Sequence, residues 1–336
     1  MKVTIRDVAR LAGVSPATVS MVLNNKGGIS EATRDRVMDV IKVAGFTPNL
    51  NSRRLSMKKS FNISIVMNNT SSPFANLFYY EVAGGLLERS KMYGYNIVFT
   101  DIEVKDSAIV LPDIVERHDT DGIVFFQDAD ETVLKEIYQR GIPYVVVDAH
   151  KRYEGYDFTG IFTDNEQASY TATKYLIANG HKEIAYVGSS YQKDFYAQCF
   201  TGFIKALNEF NLSIPSSWIL IDAYDDMSAY ACMDKIFQSG NIPSAVYCPG
   251  DIFAIGVSKC AKDHGLALPG DLSVMGFDNI ILSRFCEPRL TTIGIDMAQM
   301  GALAMDIIER KIKGETVKSI FVVSDNIIVR DSVKHK

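Results

Sequence analysis

From Phe61 onward, short apolar runs alternate with longer amphipathic stretches, and this alternation constrains the fold more than any other feature of the 336 residues. Strand-like runs cover 63–67, 97–100, 122–126, 144–148, 160–163, 183–187, 218–221, 245–248, 273–277, 291–293 and 320–323. Helical stretches at 77–93, 166–179, 199–210, 229–239, 252–264 and 298–311 lie between most of them. Regular β-α alternation predicts parallel sheets covered by helices. Eleven strands are too many for one comfortable sheet, so two similar lobes are expected, dividing near Gly160. Ligands of open α/β sheets bind beyond the carboxyl ends of the strands. Here those ends are polar: Asn68-Asn69, Asp101, Gln127-Asp128, Asp148, Gly188-Ser189, Asp251 and Asp278-Asn279. Two such edges facing each other make a polar cleft suited to a small polyhydroxylated ligand. For any one of these residues, capping of the next helix is an equally good explanation.

The first 60 residues break the pattern. They hold eleven Lys and Arg against four acids, a net of +7, while the remaining 24 basic and 36 acidic residues give −12. The chain-wide value of −5 conceals this division, which marks a nucleic-acid-binding head on an acidic body. Three short helices are predicted in the head. Thr4 caps the first, with Asp7 completing a capping box, and Gly13 stops it. Ser15-Pro16 starts the second, Ser30 caps the third and Gly45 ends it. The short connection between the first two is that of a helix-turn-helix, whose second helix presents its N-terminal side to the major groove. Pro16, Ala17, Thr18, Ser20 and Met21 are the outward positions there; a plain three-helix bundle with a basic face is the alternative. Residues 47–60 are basic, polar and poor in core residues, and form a linker or conditional helix.

Several classes drop out. The N-terminus has no apolar core, so it is not a signal peptide, and no apolar run is long enough to span a membrane. Cys199, Cys232, Cys248, Cys260 and Cys286 are odd in number and never spaced C-x-x-C, which reads as reduced cytosolic thiols rather than disulfides or zinc ligands. There is no phosphate-binding glycine loop, no nucleophile elbow and no paired histidine motif, so neither a cofactor, nor a metal, nor catalysis is expected. A solute-binding protein would need a signal peptide and no basic head.

The stretch from Val3 to Ser20, VTIRDVARLAGVSPATVS, resembles the signature of the lactose-repressor/galactose-repressor (LacI/GalR) family of bacterial transcription regulators. Thr47-Pro48-Asn49, Asn179-Gly180-His181-Lys182-Glu183-Ile184-Ala185, Gly276-Phe277-Asp278-Asn279 and Pro288-Arg289-Leu290-Thr291-Thr292-Ile293 match further along. The resemblance implies an α/β protein with an all-α helix-turn-helix headpiece (1–46), a hinge helix (47–60) and a two-lobed periplasmic-binding-protein-like body (61–336). Lobe one would comprise about 61–160 and 293–323, and lobe two about 161–290 and 324–333. It also implies a cytoplasmic homodimer on a palindromic double-stranded operator. With no leucine heptad tail before Lys336, a dimer is expected over a tetramer.

Operator contacts are then expected at Thr4, Ser15, Pro16, Ala17 and Met21, with Thr18, Ser20, Asn24, Thr33 and Arg34 making phosphate or mixed contacts. Met21 stands where relatives often carry arginine, which exchanges a guanine fork for apolar contact with thymine methyl. Asn49, Arg53 and Arg54 would accompany Leu55, the residue matching the leucine that wedges a central base step. In the cleft, Asp148 and Asp278 match effector-contacting carboxylates, Tyr224 a stacking aromatic, and Phe74 and Phe162 other walls. The family's arginine is Cys199 here and its asparagine Gly250, and polar positions become Phe126 and Ile295. Losing the five-donor guanidinium disfavours a phosphorylated or otherwise charged effector. Two readings stay open: an unusual small effector, such as a modified saccharide, or a cleft without small-molecule sensing and control by a partner protein.

Overall fold

A computed structural model describes residues 3–23, 27–46, 54, 59–67, 76–105, 108–191, 194–322, 324 and 326–335. It divides into two compact units, 1–60 and 61–336. In the first, α1 (Ile5–Ala12), α2 (Pro16–Leu23) and α3 (Glu31–Ala44) enclose Val8, Ala9, Ala12, Val19, Val22 and Val37. The caps are local and strong. Thr4 Oγ1 accepts the Asp7 amide while Asp7 accepts the Thr4 amide, and Gly13 takes the left-handed conformation that ends α1. Ser30 and Gly45 bracket α3 in the same way.

The second unit has two six-stranded sheets. The first runs β13-β7-β6-β5-β1-β2, all parallel, from β1 (Asn62–Met67), β2 (Asn96–Thr100), β5 (Gly122–Phe126), β6 (Tyr144–Val147), β7 (Gly160–Thr163) and β13 (Ile320–Val322). A hairpin of β3 (Glu103–Lys105) and β4 (Ala108–Val110) stands apart. The second sheet runs β14-β12-β11-β10-β8-β9, from β8 (Ile184–Val187), β9 (Ile219–Leu220), β10 (Ala245–Tyr247), β11 (Ser273–Asp278), β12 (Thr291–Gly294) and β14 (Asn326–Ile328). Only β14 in it is antiparallel.

Helices cover both faces. Lobe one carries α4 (Leu77–Tyr93), α5 (Asp113–Glu116), α6 (Glu131–Gln139) and α11 (Met297–Ile312); lobe two carries α7 (Asn165–Ala178), α8 (Asp194–Glu209), α9 (Asp226–Gln238) and α10 (Asp251–Asp263). Three helix pairs cross almost backbone to backbone. A Cβ on Gly85 of α4 would stand 2.0 Å from the Ala298 carbonyl oxygen of α11, one on Gly256 of α10 2.0 Å from that of Asp226 on α9, and one on Gly202 of α8 2.1 Å from that of Glu166 on α7.

The lobe boundaries differ from those expected. Gly160–Thr163 joins the first sheet because β7 pairs with β6 and β13, so the first crossing falls at Asp164, not at Gly160. Thr291–Gly294 lies wholly in the second sheet, so the return to lobe one begins after Gly294 and not at 293. Ile295 therefore lies at the second crossing. Helix α8 also begins five residues before the expected start at Cys199.

Candidate functional site

On the headpiece, Ser15, Pro16 and Ala17 are exposed at the start of α2, and Thr18, Ser20 and Met21 are partly exposed along it. Ser15 Oγ accepts the Thr18 amide at 3.0 Å and lies 2.9 Å from Thr18 Oγ1, so one hydroxyl pair caps the helix and faces outward. Thr4 and Thr33 belong to the other two caps. Arg34 donates to the Val22 carbonyl at 3.4 Å, tying α3 to the end of α2. The Thr4 hydrogen bonds hold Asp7 below the usual carboxylate range, and Asp7 also pairs with Arg10 at 3.1 Å. Arg54 is helical in backbone, with its carbonyl accepting the Lys59 amide at 3.2 Å. Asn24, Asn49, Arg53 and Leu55 lie outside the described residues.

In the body, strand ends from both sheets converge on one polar group. Asp148, one residue beyond β6, is held at a φ of 57° and is almost fully buried. Such backbone strain at strand ends clusters at functional sites. Tyr79 of α4 donates to Asp148 Oδ2 at 2.6 Å, and its ring stacks on Phe126 at 5.4 Å. His150 lies between two carboxylates: Nε2 is 3.4 Å from Asp148 and Nδ1 3.3 Å from Asp128, which also accepts the His150 and Lys151 amides. Burial opposes the charged imidazole, but the Asp148 and Asp128 carboxylates outweigh it and raise its pKa to about 10. Burial likewise opposes the Asp148 charge, but His150 and Tyr79 hold that carboxyl below its ordinary value. The arrangement favours the charged imidazole of His150 beside Asp148.

Lobe two supplies the facing wall. Phe195 of α8 meets His150 edge-on at 5.6 Å and Phe277 of β11 at 5.7 Å. Asp278 ends β11 with φ 106°; burial pushes its carboxyl well up, reinforced by the Asp251 and Asp148 charges. Beneath it, Asp251 accepts Thr292 Oγ1 at 2.6 Å and the Ile280 amide at 2.9 Å. Burial raises Asp251 to about 7 even against these bonds. Gly276 is required beside it, since a Cβ there would stand 2.2 Å from Asp251 Oδ1. Two contacts tie the lobes at the rim: Lys151 to Asp194 at 3.1 Å, and the Ile281 amide to Glu81 at 3.2 Å.

Of the residues expected in the cleft, Phe126, Asp148 and Asp278 come together. Cys199 joins them from below: its thiol is fully buried and bonded to Ser169, and burial raises its pKa steeply, with Asp278 and Asp148 adding to the rise. Gly250 caps α10 directly before Asp251. Phe162 does not share this group; it stacks on Phe321 at 5.2 Å with Arg152 over both rings. Tyr224 is 76% exposed just ahead of α9, where its amide donates to Ser228 Oγ at 2.9 Å. Phe74 lies outside the described residues. Asp128 is one of the polar strand ends singled out in the sequence, whereas Tyr79, His150 and Phe195 are not among the residues expected. His150 follows a strand-end aspartate by two residues, which is the signal that could have found it. A cavity of about 220 Å³ lies elsewhere, among Tyr138, Tyr144, Tyr156 and Lys311 at the opening end of β6.

Comparison with known proteins agrees with this architecture. Residues 4–49 match the model of bacterial regulatory proteins of the lacI family, and residues 173–333 match a periplasmic binding protein-like domain. Catabolite control protein A of Priestia megaterium is 32% identical over 338 residues, 99% of this chain and 100% of the relative. The transcriptional repressor PurR of Vibrio parahaemolyticus is 33% identical over 337 residues, 98% of each chain. Among solved structures, a lac repressor dimer bound to operator and the anti-inducer ONPF superposes with a TM-score of 0.78 over 99% of both chains at 21% identity. A CelR–cellobiose complex gives 0.69 at 23% identity, covering 98% of this chain and 100% of that one. The chain belongs to the lacI family of bacterial transcriptional regulators. It is a DNA-binding regulator of the repressor type. No helix among the described residues is long and apolar enough to cross a membrane.

Proposed function

We propose that the chain is a cytoplasmic homodimeric repressor that reads a palindromic operator through α2 and senses a small, uncharged, sugar-like ligand between its lobes, with no catalytic step. The observation that carries the effector half is the convergence of Asp148, Asp278 and Tyr79 with Phe126, Phe195 and Phe277 at facing strand ends. The Asp148 carboxylate accepts from hydroxyls, the Asp278 carboxyl can donate as well as accept, and flat rings cover the apolar faces of a sugar, while Cys199 in place of arginine leaves no fork for a phosphate. The solved CelR complex holds cellobiose in the same fold, which favours a saccharide over other polar ligands.

On the DNA side, Pro16, Ala17 and Met21 would meet base edges, while Thr4, Ser15, Thr18, Ser20, Thr33 and Arg34 position the helix on the phosphates. Asn24, Asn49, Arg53, Arg54 and Leu55 would extend the contact along the backbone and into the minor groove. Exposed apolar side chains on α4 (Tyr80, Leu87, Met92) and after β11 (Ile281, Leu282, Phe285) offer a surface to a second copy. Coupling between cleft and operator of about 1–3 kcal/mol would change DNA affinity roughly 5–150-fold. The test has two arms. Mobility shift across a salt series should show log affinity falling steeply with log salt. A thermal-shift screen of neutral and phosphorylated saccharides should stabilise the protein with neutral ones only. A salt-independent micromolar interaction refutes the DNA arm, and stabilisation confined to phosphorylated sugars refutes the effector arm.

A further inference from the structure

We propose that Asp234, Cys260 and His264 form a zinc site on the outer surface of lobe two, fastening the last turn of α10 to α9. The site is independent of the cleft, whose floor begins at the opposite end of α10 with Asp251. Cys260 and His264 are four residues apart on one helix, so their side chains lie one above the other. Asp234 comes from the neighbouring helix, which Gly256 allows to approach closely. One ligand atom from each residue lies within 4.8 Å of the other two.

The hydrogen bonding of the imidazole is what points to a cation. His264 Nδ1 lies 3.0 Å from the Cys260 carbonyl oxygen. A carbonyl only accepts, so Nδ1 carries the proton and the lone pair of the neutral ring is on Nε2. That lone pair faces a carboxylate, Asp234 Oδ1, at 3.2 Å. Two acceptors at that separation require a proton or a metal ion between them. Ligands at about 2.0–2.1 Å from a tetrahedral zinc stand about 3.3 Å apart, which the observed spacing matches. Nδ1–H bonded to a backbone carbonyl is also the usual way a metal-binding histidine is oriented. The ring is further fixed by Phe237, stacked flat on it at 4.2 Å and 4°.

The third ligand completes a set of nitrogen, sulfur and oxygen that suits zinc rather than magnesium or calcium. Cys260 Sγ lies 3.8 Å from His264 Nδ1, on the side of the ring away from Asp234, so the thiol must turn toward Nε2 to reach a zinc–sulfur bond near about 2.3 Å. The thiol is buried, and burial with the Asp234 and Asp263 carboxylates raises its pKa to about 12. It therefore binds by giving its proton to solvent as the zinc–sulfur bond forms, and the ion also displaces the proton shared by His264 Nε2 and Asp234, so two protons are released per ion bound. Asp263 is engaged by Lys259 and Tyr230 and stays outside the set. Asp234 and His264 are each about one-third exposed, so the fourth position opens to water.

The experiment uses the untagged full chain, stripped of metal. Zinc is titrated against a chromophoric chelator, and cobalt(II) serves as a spectroscopic stand-in. One equivalent should bind, with a thiolate-to-cobalt charge-transfer band in the near ultraviolet and intense visible bands of tetrahedral cobalt. His264→Gln and Asp234→Asn should weaken binding at least about tenfold. Cys260→Ser should abolish the charge-transfer band while thermal melting confirms a folded protein. Absence of stoichiometric binding to the unmodified chain overturns the site, leaving an ordinary histidine–aspartate contact. So does a cobalt spectrum that survives unchanged in Cys260→Ser, or zinc affinity unaltered in His264→Gln.

Discussion

Replacing Asp251 with asparagine should remove a stability change that the unmodified protein undergoes between mildly acidic and neutral pH. The carboxyl is fully buried beside Thr292, the Ile280 amide and Gly276, and its pKa rises from 3.8 to about 7. The folded state therefore holds a proton that the unfolded chain has already released. Stability is greatest below pH 3.8 as far as this group is concerned, falls as pH rises through about 7, and is level beyond. At about 1.36 kcal/mol per pH unit, the whole change is roughly 4 kcal/mol, of which roughly 3 kcal/mol falls between pH 5 and 8. Asparagine keeps the shape: its oxygen accepts the Ile280 amide and its nitrogen donates to Thr292 Oγ1. Trp218 is the sole tryptophan and is buried in lobe two, so its fluorescence follows the unfolding of the lobe concerned. At about 2–4 °C per kcal/mol, the melting temperature lost between pH 5 and 8 should shrink by about 6–12 °C in Asp251→Asn. Asp278→Asn, which leaves Asp251 in place, should retain most of the Asp251 slope. If Asp251→Asn loses as much stability over that interval as the unmodified protein, the buried carboxyl is not the titrating group and the argument fails.

Tyr79→Phe removes the 2.6 Å bond to Asp148 and should lower stability by about 1.5–3 kcal/mol in urea denaturation; no change would place the hydroxyl outside the cluster. Because Tyr79 helps to hold Asp148 low, the variant should also lose stability at a higher pH on acidification than the unmodified chain. Gly85→Ala would drive a Cβ to 2.0 Å from the Ala298 carbonyl, and the separation of α4 and α11 that follows should cost at least about 2 kcal/mol, read as an earlier urea midpoint. Met21→Arg should move base preference toward guanine at one position per half-site, and selection from randomised operators returning an unchanged consensus would count against the assigned role. Asp148→Asn should weaken binding of a stabilising saccharide while leaving operator affinity in its absence intact.

What the sequence disclosed was what is decided locally. The Thr4–Asp7 box, the Ser30 cap and the Gly13 and Gly45 stops are set by residues within a turn of one another, and the short apolar runs fall where the strands are. Membership of a sheet is not local. β7 belongs to lobe one because it pairs with residues 320–322, a partner no nearby residue announces. In the cleft, Asp148 and Asp278 were visible as polar strand ends. Tyr79 was not, because it sits on a helix whose pattern describes packing and meets Asp148 69 residues later. Phe162 shows the converse error. Alternation along β7 turns Ile161 to one face and Phe162 to the other, where Phe321 and Arg152 already cover it. The Asp234 partner of Cys260 and His264 was hidden for the same reason: it arrives on a separate helix.

The three passages of chain between the sheets have a kinematic consequence. They leave lobe one after β7, return after β12 and leave again after β13. A single tether would let one lobe swivel freely, and two would still let it twist. Three side-by-side tethers leave essentially one soft rotation, the opening and shutting of the two halves like a book. A molecule held between Asp148 and Asp278 would therefore act chiefly along that one coordinate, which the contacts Lys151–Asp194 and Glu81–Ile281 span at the rim.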